Sequence, residues 1–335
     1  MTDPLTLPGW QKFNRRQWDV EPVEFDFAPR GPNGPRLRVV GYRDGRGRLV
    51  LPTMNPHLPI SFQPTKTDAP FRLERQWSEV AELLVEEMLS SGTSGRIALP
   101  ADVLDPRPWM WSGFHVAPLF TFFMELPFDP AQADASVRQK IRKSSKAGFS
   151  SRIADDVDDV LACLRETEAR KGFDHELTRE SLEWGLELLG AESFRLYVCY
   201  ASGGEPASAR IVLHDAGGQA CDLAAGTQRK YLSSGATQHL IGHVLEDLHQ
   251  AQATGFNFCG ANIQSVSPAK SCWGGRLVSH FAVEGFDALP LKRLAGGFYR
   301  LFKKRRSVRQ QRTTPAEVAA EVKSPTGPQT AACTG

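Results

Sequence analysis

The sequence lacks the features of several common protein classes. It contains no apolar run of about 18 residues, and its first ten residues, MTDPLTLPGW, have neither the basic nor the apolar region of a signal peptide. It also contains no Gly-x-Ser-x-Gly element and no paired cysteine and histidine of the kind that activates a covalent nucleophile. We therefore expect a soluble, cytoplasmic protein whose chemistry does not pass through a covalent intermediate on serine or cysteine.

Side chains that bind metals or form disulfides are few and scattered. The six cysteines lie at positions 163, 199, 221, 259, 272 and 333. We interpret most of them as small buried residues or free thiols of a reducing compartment. His239 and His243 have the spacing of a helical zinc pair, but Leu240 stands where such motifs carry glutamate, and no third ligand is evident. We therefore predict no metal site.

The net charge of +2 conceals an uneven distribution. Residues 291–335 contain ten lysines and arginines against two glutamates, so this segment carries +8 and the rest of the chain −6. A narrow apolar stripe interleaved with the basic residues predicts a helix in its first part, and the polar composition beyond residue 313 predicts disorder. Three interpretations remain open for this segment: a packed helix with a solvated basic end, RNA contact, or weak attachment to an anionic membrane.

The length of 335 residues and the hydrophobic content of 41% allow two ordinary cores. We predict a first unit in residues 1–130 with an irregular N-terminal arm, a second unit in residues 131–290, and a basic helix with a disordered tail in residues 291–335. In the first unit, we expect residues 1–35 to be irregular apart from a helix at 10–18, and residues 55–72 to be a loop. The remaining predicted elements of that unit are a hairpin over 37–52, a helix over 77–88, and strands at 96–99 and 121–126.

The second unit opens on a basic helix, predicted over residues 135–147 and ending at Gly148. Its basic positions are Arg138, Lys140, Arg142, Lys143 and Lys146. Taken alone they describe a solvated helix face, although such a face is also able to contact phosphates. Hydrophobic periodicity then predicts helices over 155–171, 178–189 and 234–253, and strands over 194–200, 207–214, 220–227 and 256–259.

Residues 255–283, GFNFCGANIQSVSPAKSCWGGRLVSHFAV, are the most informative stretch of the chain. The pattern predicts a strand, a glycine turn, about one helical turn and a second strand, with Lys270 in the connection. An ammonium group there would stabilise negative charge on an acyl donor or on the oxyanion of an acyl-transfer intermediate, provided that water is excluded. The alternative is a solvated lysine on a connecting loop.

This stretch resembles the carboxy-terminal signature, Phe-Lys-x-x-Phe-Gly-Gly, of the Fem-type (FemAB-like) branch of the GNAT acyltransferase superfamily. The chain reads Ala-Lys-Ser-Cys-Trp-Gly-Gly over residues 269–275, so alanine and tryptophan replace the two phenylalanines. The basic helix resembles the Fem-type joint that opens a second unit, and the resemblance covers about residues 119–284. It implies an α/β (α+β) fold of two GNAT-like units in tandem, with mixed, mostly antiparallel sheets flanked by helices and the substrate in the cleft between them.

Most GNAT enzymes cradle the pyrophosphate of coenzyme A with an Arg/Gln-x-x-Gly-x-Gly/Ala run. Here residues 228–236 read QRKYLSSGA, and no placement satisfies both glycines. Fem-type enzymes that use aminoacyl-tRNA also lack a good version, so the resemblance favours that donor and no bound cofactor, with acetyl-CoA or another acyl-CoA as the alternative. The resulting donor-site candidates are Arg229, Ser233, Ser234, Gly235, Trp273 and Gly274, and the candidates for phosphate or substrate binding are Arg138, Lys140 and Arg142. The candidate catalytic residues are Lys270, Asp222 and Tyr231.

The activity that the resemblance implies is transfer of an aminoacyl group from aminoacyl-tRNA to an amine or hydroxylamine. This acceptor would be a peptidoglycan precursor or a small molecule of a secondary pathway such as antibiotic biosynthesis. The closest alternative is an acyl-CoA-dependent N-acyltransferase. A third reading is an inactive GNAT-like module that binds RNA or an anionic membrane through the basic tail.

Overall fold

The computed structural model describes residues 3–285. The predicted basic helix and tail, residues 291–335, lie outside the described residues, as does Cys333. In the described part the helices are α1 (Pro8–Trp18), α2 (Pro70–Ser91), α3 (Arg107–Trp111), α4 (Ala135–Lys146), α5 (Val157–Lys171), α6 (Arg179–Leu189), α7 (Ala236–Gln250) and α8 (Ser267–Ser271). The strands are β1 (Glu21–Phe27), β2 (Arg36–Arg43), β3 (Leu49–Val50), β4 (Ile60–Gln63), β5 (Thr93–Ser94), β6 (Arg96–Ala98), β7 (His115–Glu125), β8 (Ser150–Ile153), β9 (Phe194–Tyr200), β10 (Pro206–Leu213), β11 (Gln219–Thr227), β12 (Gly255–Asn257) and β13 (Arg276–Glu284).

The larger sheet contains eight strands in the order β6-β13-β7-β12-β11-β10-β9-β8. Neighbouring strands are antiparallel except β11 and β12, which run parallel and are connected by α7, since a parallel pair needs a crossover. Their pairing ends where Cys221 faces Asn257, although β11 continues to Thr227. The two strands therefore separate beyond Cys221, and we call the resulting gap the β11–β12 opening.

Helices cover both faces of this sheet over β8 to β11. Alternate residues of β9 enter two different cores, as the period of a strand requires. Leu196 and Val198 pack with α1, α5 and α6, whereas Tyr197 and Cys199 pack with α4 and α7. The half of the chain that carries the β11–β12 opening is thus a three-layer structure, with helices on either side of the sheet.

A smaller sheet, of order β1-β2-β3-β5 with β4 also paired to β2, packs on α2 and α3. Helix α1 joins it to the larger sheet through a buried polar cluster. Trp10 Nε1 donates to Asn55 Oδ1 at 2.9 Å, and Asn14 Nδ2 donates to the Tyr42 hydroxyl at 3.1 Å. Because α1 also packs on α6, these bonds fix the small sheet relative to the helical layer of the large one.

Most elements lie where the sequence predicts them, and the predicted α/β fold class with mostly antiparallel sheets is confirmed. Two predictions about the first unit are wrong. Residues 1–35, predicted to be irregular apart from one helix, also contain β1, and the predicted loop over residues 55–72 contains β4 and the start of α2. Both strands pair with β2. β1 contains Pro22 and three acidic residues, types that are rare in strands, and β4 has only four residues, between Pro59 and Pro64.

Among the described residues, no helix has the length and the apolar composition needed to cross a bilayer.

Glycine 226 tests how tightly α5 packs on β11. A β-carbon there would lie 2.3 Å from the Cys163 carbonyl oxygen of α5, so Gly226→Ala forces the helix away from the sheet. We expect a loss of about 1 to 3 kcal/mol in the free energy of unfolding, measured by urea denaturation. Gly203→Ala is the control, because nothing lies within 4 Å of its added carbon. Equal stability of the two variants would contradict the packing described here.

Candidate active site

The Lys270 ammonium binds two backbone carbonyl groups. Nζ donates to Phe258 O at 2.6 Å and to Gly260 O at 2.9 Å. Cys259, between these two residues, has a φ of 50°, in the left-handed region that residues other than glycine rarely adopt. Lys270 thus spans the turn at Cys259, and we call residues 257–260 the clamped segment.

Thr121 of β7 holds the same segment through its hydroxyl. Thr121 Oγ1 donates to Asn257 Oδ1 at 2.6 Å and accepts the Gly260 N–H at 3.0 Å. Asn257 Oδ1 also accepts the Cys259 N–H at 2.9 Å. Together with the bonds from Lys270, these contacts fix the conformation of Cys259 through side chains of β7, β12 and α8.

A buried ion pair lies beside the β11–β12 opening. Asp222, which follows the last paired residue of β11, bonds Arg210 of β10, and their side chains are only 4% and 6% exposed. Asp222 was a sequence candidate, whereas Arg210 was not. The sequence did carry a signal for this ion pair. The neighbouring strands PASARIVL and QACDLAAGT each contain a single charged residue, and the two residues have opposite signs.

The surroundings of Lys270 make its charge costly. Burial lowers the pKa of Lys270 below its ordinary 10.5, with Asp222 and the Cys259 thiol acting in the opposite direction and Arg210 and Lys171 adding to the decrease. Asp222 and Lys270, both predicted from the sequence, are thus close enough to interact. In a site with little water, an ammonium group acts strongly on any negative charge that develops nearby.

The start of α7 lies against the backbone of α4. Gly235, just before α7, has a φ of 90°, and a β-carbon on it would lie 2.6 Å from Lys140 O of α4. Ser234 Oγ accepts the Ala236 N–H at 3.1 Å and donates to Tyr231 O at 2.8 Å. The structure therefore brings Lys140, Ser234 and Gly235 together, with Ser234 accepting the first amide of α7.

The loop before α7 holds the remaining donor candidates at its surface. Arg229 and Ser233 are exposed. The Tyr231 hydroxyl donates to Glu205 Oε2 at 2.6 Å, and this bond raises the pKa of Tyr231, as does the partial desolvation of the ring. A phenol that donates in this way keeps its proton, so the position of Tyr231 favours a structural role over that of a proton acceptor.

Helix α4 presents its basic residues to solvent. Lys140, Arg142, Lys143 and Lys146 are exposed, whereas Arg138 is half-buried and donates to backbone carbonyls, including Ala131 O at 3.1 Å. Of the three predicted phosphate contacts, Lys140 and Arg142 are accessible to a ligand, and Arg138 stabilises the turn before the helix.

Trp273 and the two glycines of the signature have packing roles in this structure. Trp273 is fully buried, 5.7 Å from the ring of Phe128. Gly274 has a φ of 79°, and a β-carbon there would lie 2.5 Å from Gln132 O, while one on Gly275 would lie 2.9 Å from Met124. These residues pack the segment that follows Lys270 against β7 and the turn before α4, and so hold Lys270 in position.

A cleft of about 1230 Å³ lies between the small sheet and the large one. The large sheet contributes Thr121, His280 and the clamped segment, and the opposite wall includes strands β2 and β4. His280 Nδ1 donates to Leu99 O at 3.1 Å, and burial lowers the pKa of His280, so its imidazole is neutral near pH 7. The clamped segment therefore lines the cleft, and its carbonyl groups bind the Lys270 ammonium. The sequence did not single out His280 or Thr121.

The predicted zinc spacing has another use in the structure. His239 Nδ1 bonds Ser151 Oγ at 2.7 Å, and His243 packs edge-on against Tyr197. Within residues 3–285 no group of three potential ligands is placed to hold a metal ion.

Comparisons with known proteins give the fold a name. Residues 131–265 match the acetyltransferase (GNAT) domain model. Among solved structures, FemX aligns with a TM-score of 0.57 at 10% identity, covering 83% of this chain and 92% of FemX. The C-terminal domain of a putative lysylphosphatidylglycerol synthetase from Agrobacterium fabrum aligns with a TM-score of 0.53 at 11% identity, covering 83% and 93%. L-PGS from Bacillus licheniformis aligns with a TM-score of 0.51 at 10% identity, covering 84% and 93%.

Residues 131–265 thus match a GNAT domain, and the chain shares its fold with FemX. A search of curated proteins by sequence gives no significant match. The matched GNAT domain includes α4, α7 and the β11–β12 opening, whereas Lys270 lies beyond its last residue. The resemblance seen in the sequence is thus confirmed at the level of the fold, and the roles of individual residues stay predictions.

The lowered pKa of Lys270 in this Fem-like protein gives a pH dependence of stability. Between the folded pKa and 10.5, the unfolded chain binds more protons than the folded one, so raising the pH favours folding. Urea denaturation of the wild type and of Lys270→Met should yield a difference in unfolding free energy that moves in favour of the wild type as the pH approaches 10.5. A difference in unfolding free energy that does not change with pH would mean that the Lys270 ammonium is as well solvated in the folded protein as in the unfolded chain.

Proposed function

We propose that this protein transfers an aminoacyl group from aminoacyl-tRNA to an amine bound in the cleft between the two sheets. The observation that carries the proposal is the start of α7. A GNAT enzyme that uses coenzyme A needs accessible amide groups there for the pyrophosphate. Here Ser234 caps the Ala236 amide, and the backbone of α4 lies against Gly235. An anion of that size has little room at this helix end.

The surface formed by α4 and the loop before α7 suits a longer polyanion. Lys140, Lys143 and Lys146 are exposed on α4, and Arg229 is exposed on the loop before α7. RNA binding depends on neutralising phosphates, and exposed lysine and arginine side chains supply the required charge. We place the acceptor end of the tRNA across this surface, with the aminoacyl ester entering the β11–β12 opening.

In this proposal the Lys270 ammonium stabilises the negative charge of the intermediate, and the clamped segment holds that ammonium in position. The acceptor nitrogen attacks the ester carbonyl carbon, and the carbonyl oxygen becomes negative. When the intermediate collapses, the bond from this carbon to the ribose oxygen breaks, and the ribose hydroxyl leaves with the proton that the nitrogen gives up. The Lys270 ammonium uses two donors on Phe258 O and Gly260 O and has a third for the developing oxyanion. Asp222 acts to raise the pKa of Lys270 and so favours its charged form. Its contribution to the reaction is therefore indirect.

The volume of the cleft bears on the acceptor. About 1230 Å³ exceeds the roughly 300 to 1,000 Å³ of ordinary small-molecule pockets. The wall also carries both signs of charge, with the Asp3 carboxylate 2.8 Å from His57 Nε2, and Arg38 and Arg96 elsewhere. A large polar amine, such as a peptide-bearing cell-wall precursor or a secondary metabolite of that size, fits these dimensions better than a single amino acid.

Acyl-CoA remains the second candidate donor, because the matched domain model is that of acetyltransferases. Two binding measurements distinguish these donors. Acetyl-CoA that serves as the donor raises the melting temperature, while a protein that uses aminoacyl-tRNA retains charged over uncharged tRNA on filters. A clear melting shift with no tRNA retention would replace the first donor by the second.

A double variant at two lysines of α4 tests the proposed binding of tRNA most directly. Lys140→Ala with Lys143→Ala removes two exposed charges, so retention of mixed charged tRNA should fall roughly tenfold, and the salt dependence should weaken by about one unit of slope per lysine. Lys12→Ala, an exposed lysine on α1, is the matched control and should bind as the wild type. Equal retention by the double variant and the control would place the RNA on another surface or remove it from the reaction.

A further inference from the structure

Two thiols meet at the point where β11 and β12 separate. Cys221 is the last residue of β11 that faces β12, and Cys259 lies two residues beyond its partner, Asn257. Cys259 packs against the buried group that contains Cys221, and its own thiol donates to Asn257 O at 3.4 Å. The neighbouring Cys259 thiol and burial raise the pKa of Cys221. Both residues line the cleft and belong to one packed group. They are 38 positions apart in the sequence, so only the fold brings them together.

The two cysteines differ in access. Cys221 is 2% exposed, whereas Cys259 is half-buried and open to the cleft. Lys270 Nζ binds the carbonyl oxygens of Phe258 and Gly260 on either side of Cys259, so a cation lies beside this half-buried residue, the kind of surroundings in which reactive cysteines are found. An oxidant arriving through the cleft therefore meets Cys259 first, with Cys221 behind it as the second thiol.

We propose that Cys259 and Cys221 form an oxidative modification site, at which a peroxide produces a reversible disulfide that blocks the β11–β12 opening. The Cys259 thiolate attacks a peroxide oxygen, the O–O bond breaks, and water and a sulfenic acid result. The Cys221 sulfur then attacks the sulfenic sulfur, the S–S bond forms, the S–O bond breaks and a second water leaves. Hydrogen peroxide takes up the two electrons, and a dithiol returns both cysteines by exchange.

The position of Cys259 connects this chemistry to Lys270. A disulfide holds its sulfurs about 2.05 Å apart, much closer than two thiols in contact. Drawing Cys259 toward β11 moves the carbonyl groups on either side of it, and these are the two groups that bind Lys270. The cross-link also joins β11 to the separating segment at the narrow end of the opening. Oxidation therefore acts on both the shape of the opening and the placement of the ammonium.

Peptide mapping of the full chain after treatment with hydrogen peroxide tests the site without any substrate. We expect a linked pair of peptides containing Cys221 and Cys259 that disappears with dithiothreitol. Cys221→Ser should leave a sulfenic acid at Cys259 that dimedone traps, whereas the half-buried Cys272→Ser control should still give the link. Absence of the link in the wild type and in the control overturns the proposal.

The block is measured on the same samples with the donor that the reduced protein binds, charged tRNA on filters or acetyl-CoA by melting shift. Oxidation should reduce that binding at least tenfold, dithiothreitol should restore it, and Cys221→Ser should lose less of it. A link that leaves donor binding unchanged overturns the block. Binding of acetyl-CoA alone by the reduced protein would instead contradict the proposed donor, while the thiol chemistry would stand.

Discussion

The site depends on one interaction, the bonding of a half-buried ammonium to two carbonyl groups of the same turn. Lys270 holds Phe258 O and Gly260 O, and so stabilises a left-handed conformation at Cys259 that an L-residue otherwise avoids. Without that cation, two carbonyl groups in a poorly hydrated place would lose a partner, and leaving such groups unpaired is costly. The lysine of the Fem-type signature therefore has a structural reason to be present before any substrate is considered.

In the proposed reaction, the same turn joins the acceptor space and the donor space. On one side the cleft offers room for a large acceptor, and on the other the β11–β12 opening lies beside the ion pair of Arg210 and Asp222. The opening forms because β11 and β12 pair only as far as Cys221 and Asn257, while β11 continues to Thr227. The GNAT fold thus provides the opening, and the side chains around it adapt it to a particular donor.

Local patterns in the sequence predicted much of this arrangement. Helix periodicity located α4 to α7, and the signature Lys-x-x-x-Gly-Gly located Lys270 and the glycines that pack behind it. Contacts between distant segments were beyond such patterns. The partner of Asp222, the carbonyl groups that bind Lys270, and the meeting of Cys221 with Cys259 all depend on strand register across the large sheet. The cleft wall from β1 and β4 was missed because β1 contains a proline and acidic residues, which are rare in strands, and β4 is only four residues long.

The central claim is that Lys270 promotes transfer from an aminoacyl ester to an amine. The most direct measurement follows the label of mixed radioactive aminoacyl-tRNA into the product with glycinamide, a small amine able to enter the cleft. The wild type should form labelled aminoacyl-glycinamide, and Lys270→Ala, folded by circular dichroism, should form it about 10² to 10³ times more slowly, the loss typical of removing an oxyanion donor. Equal rates for the two proteins, or labelled product from acetyl-CoA and none from tRNA, would contradict the account.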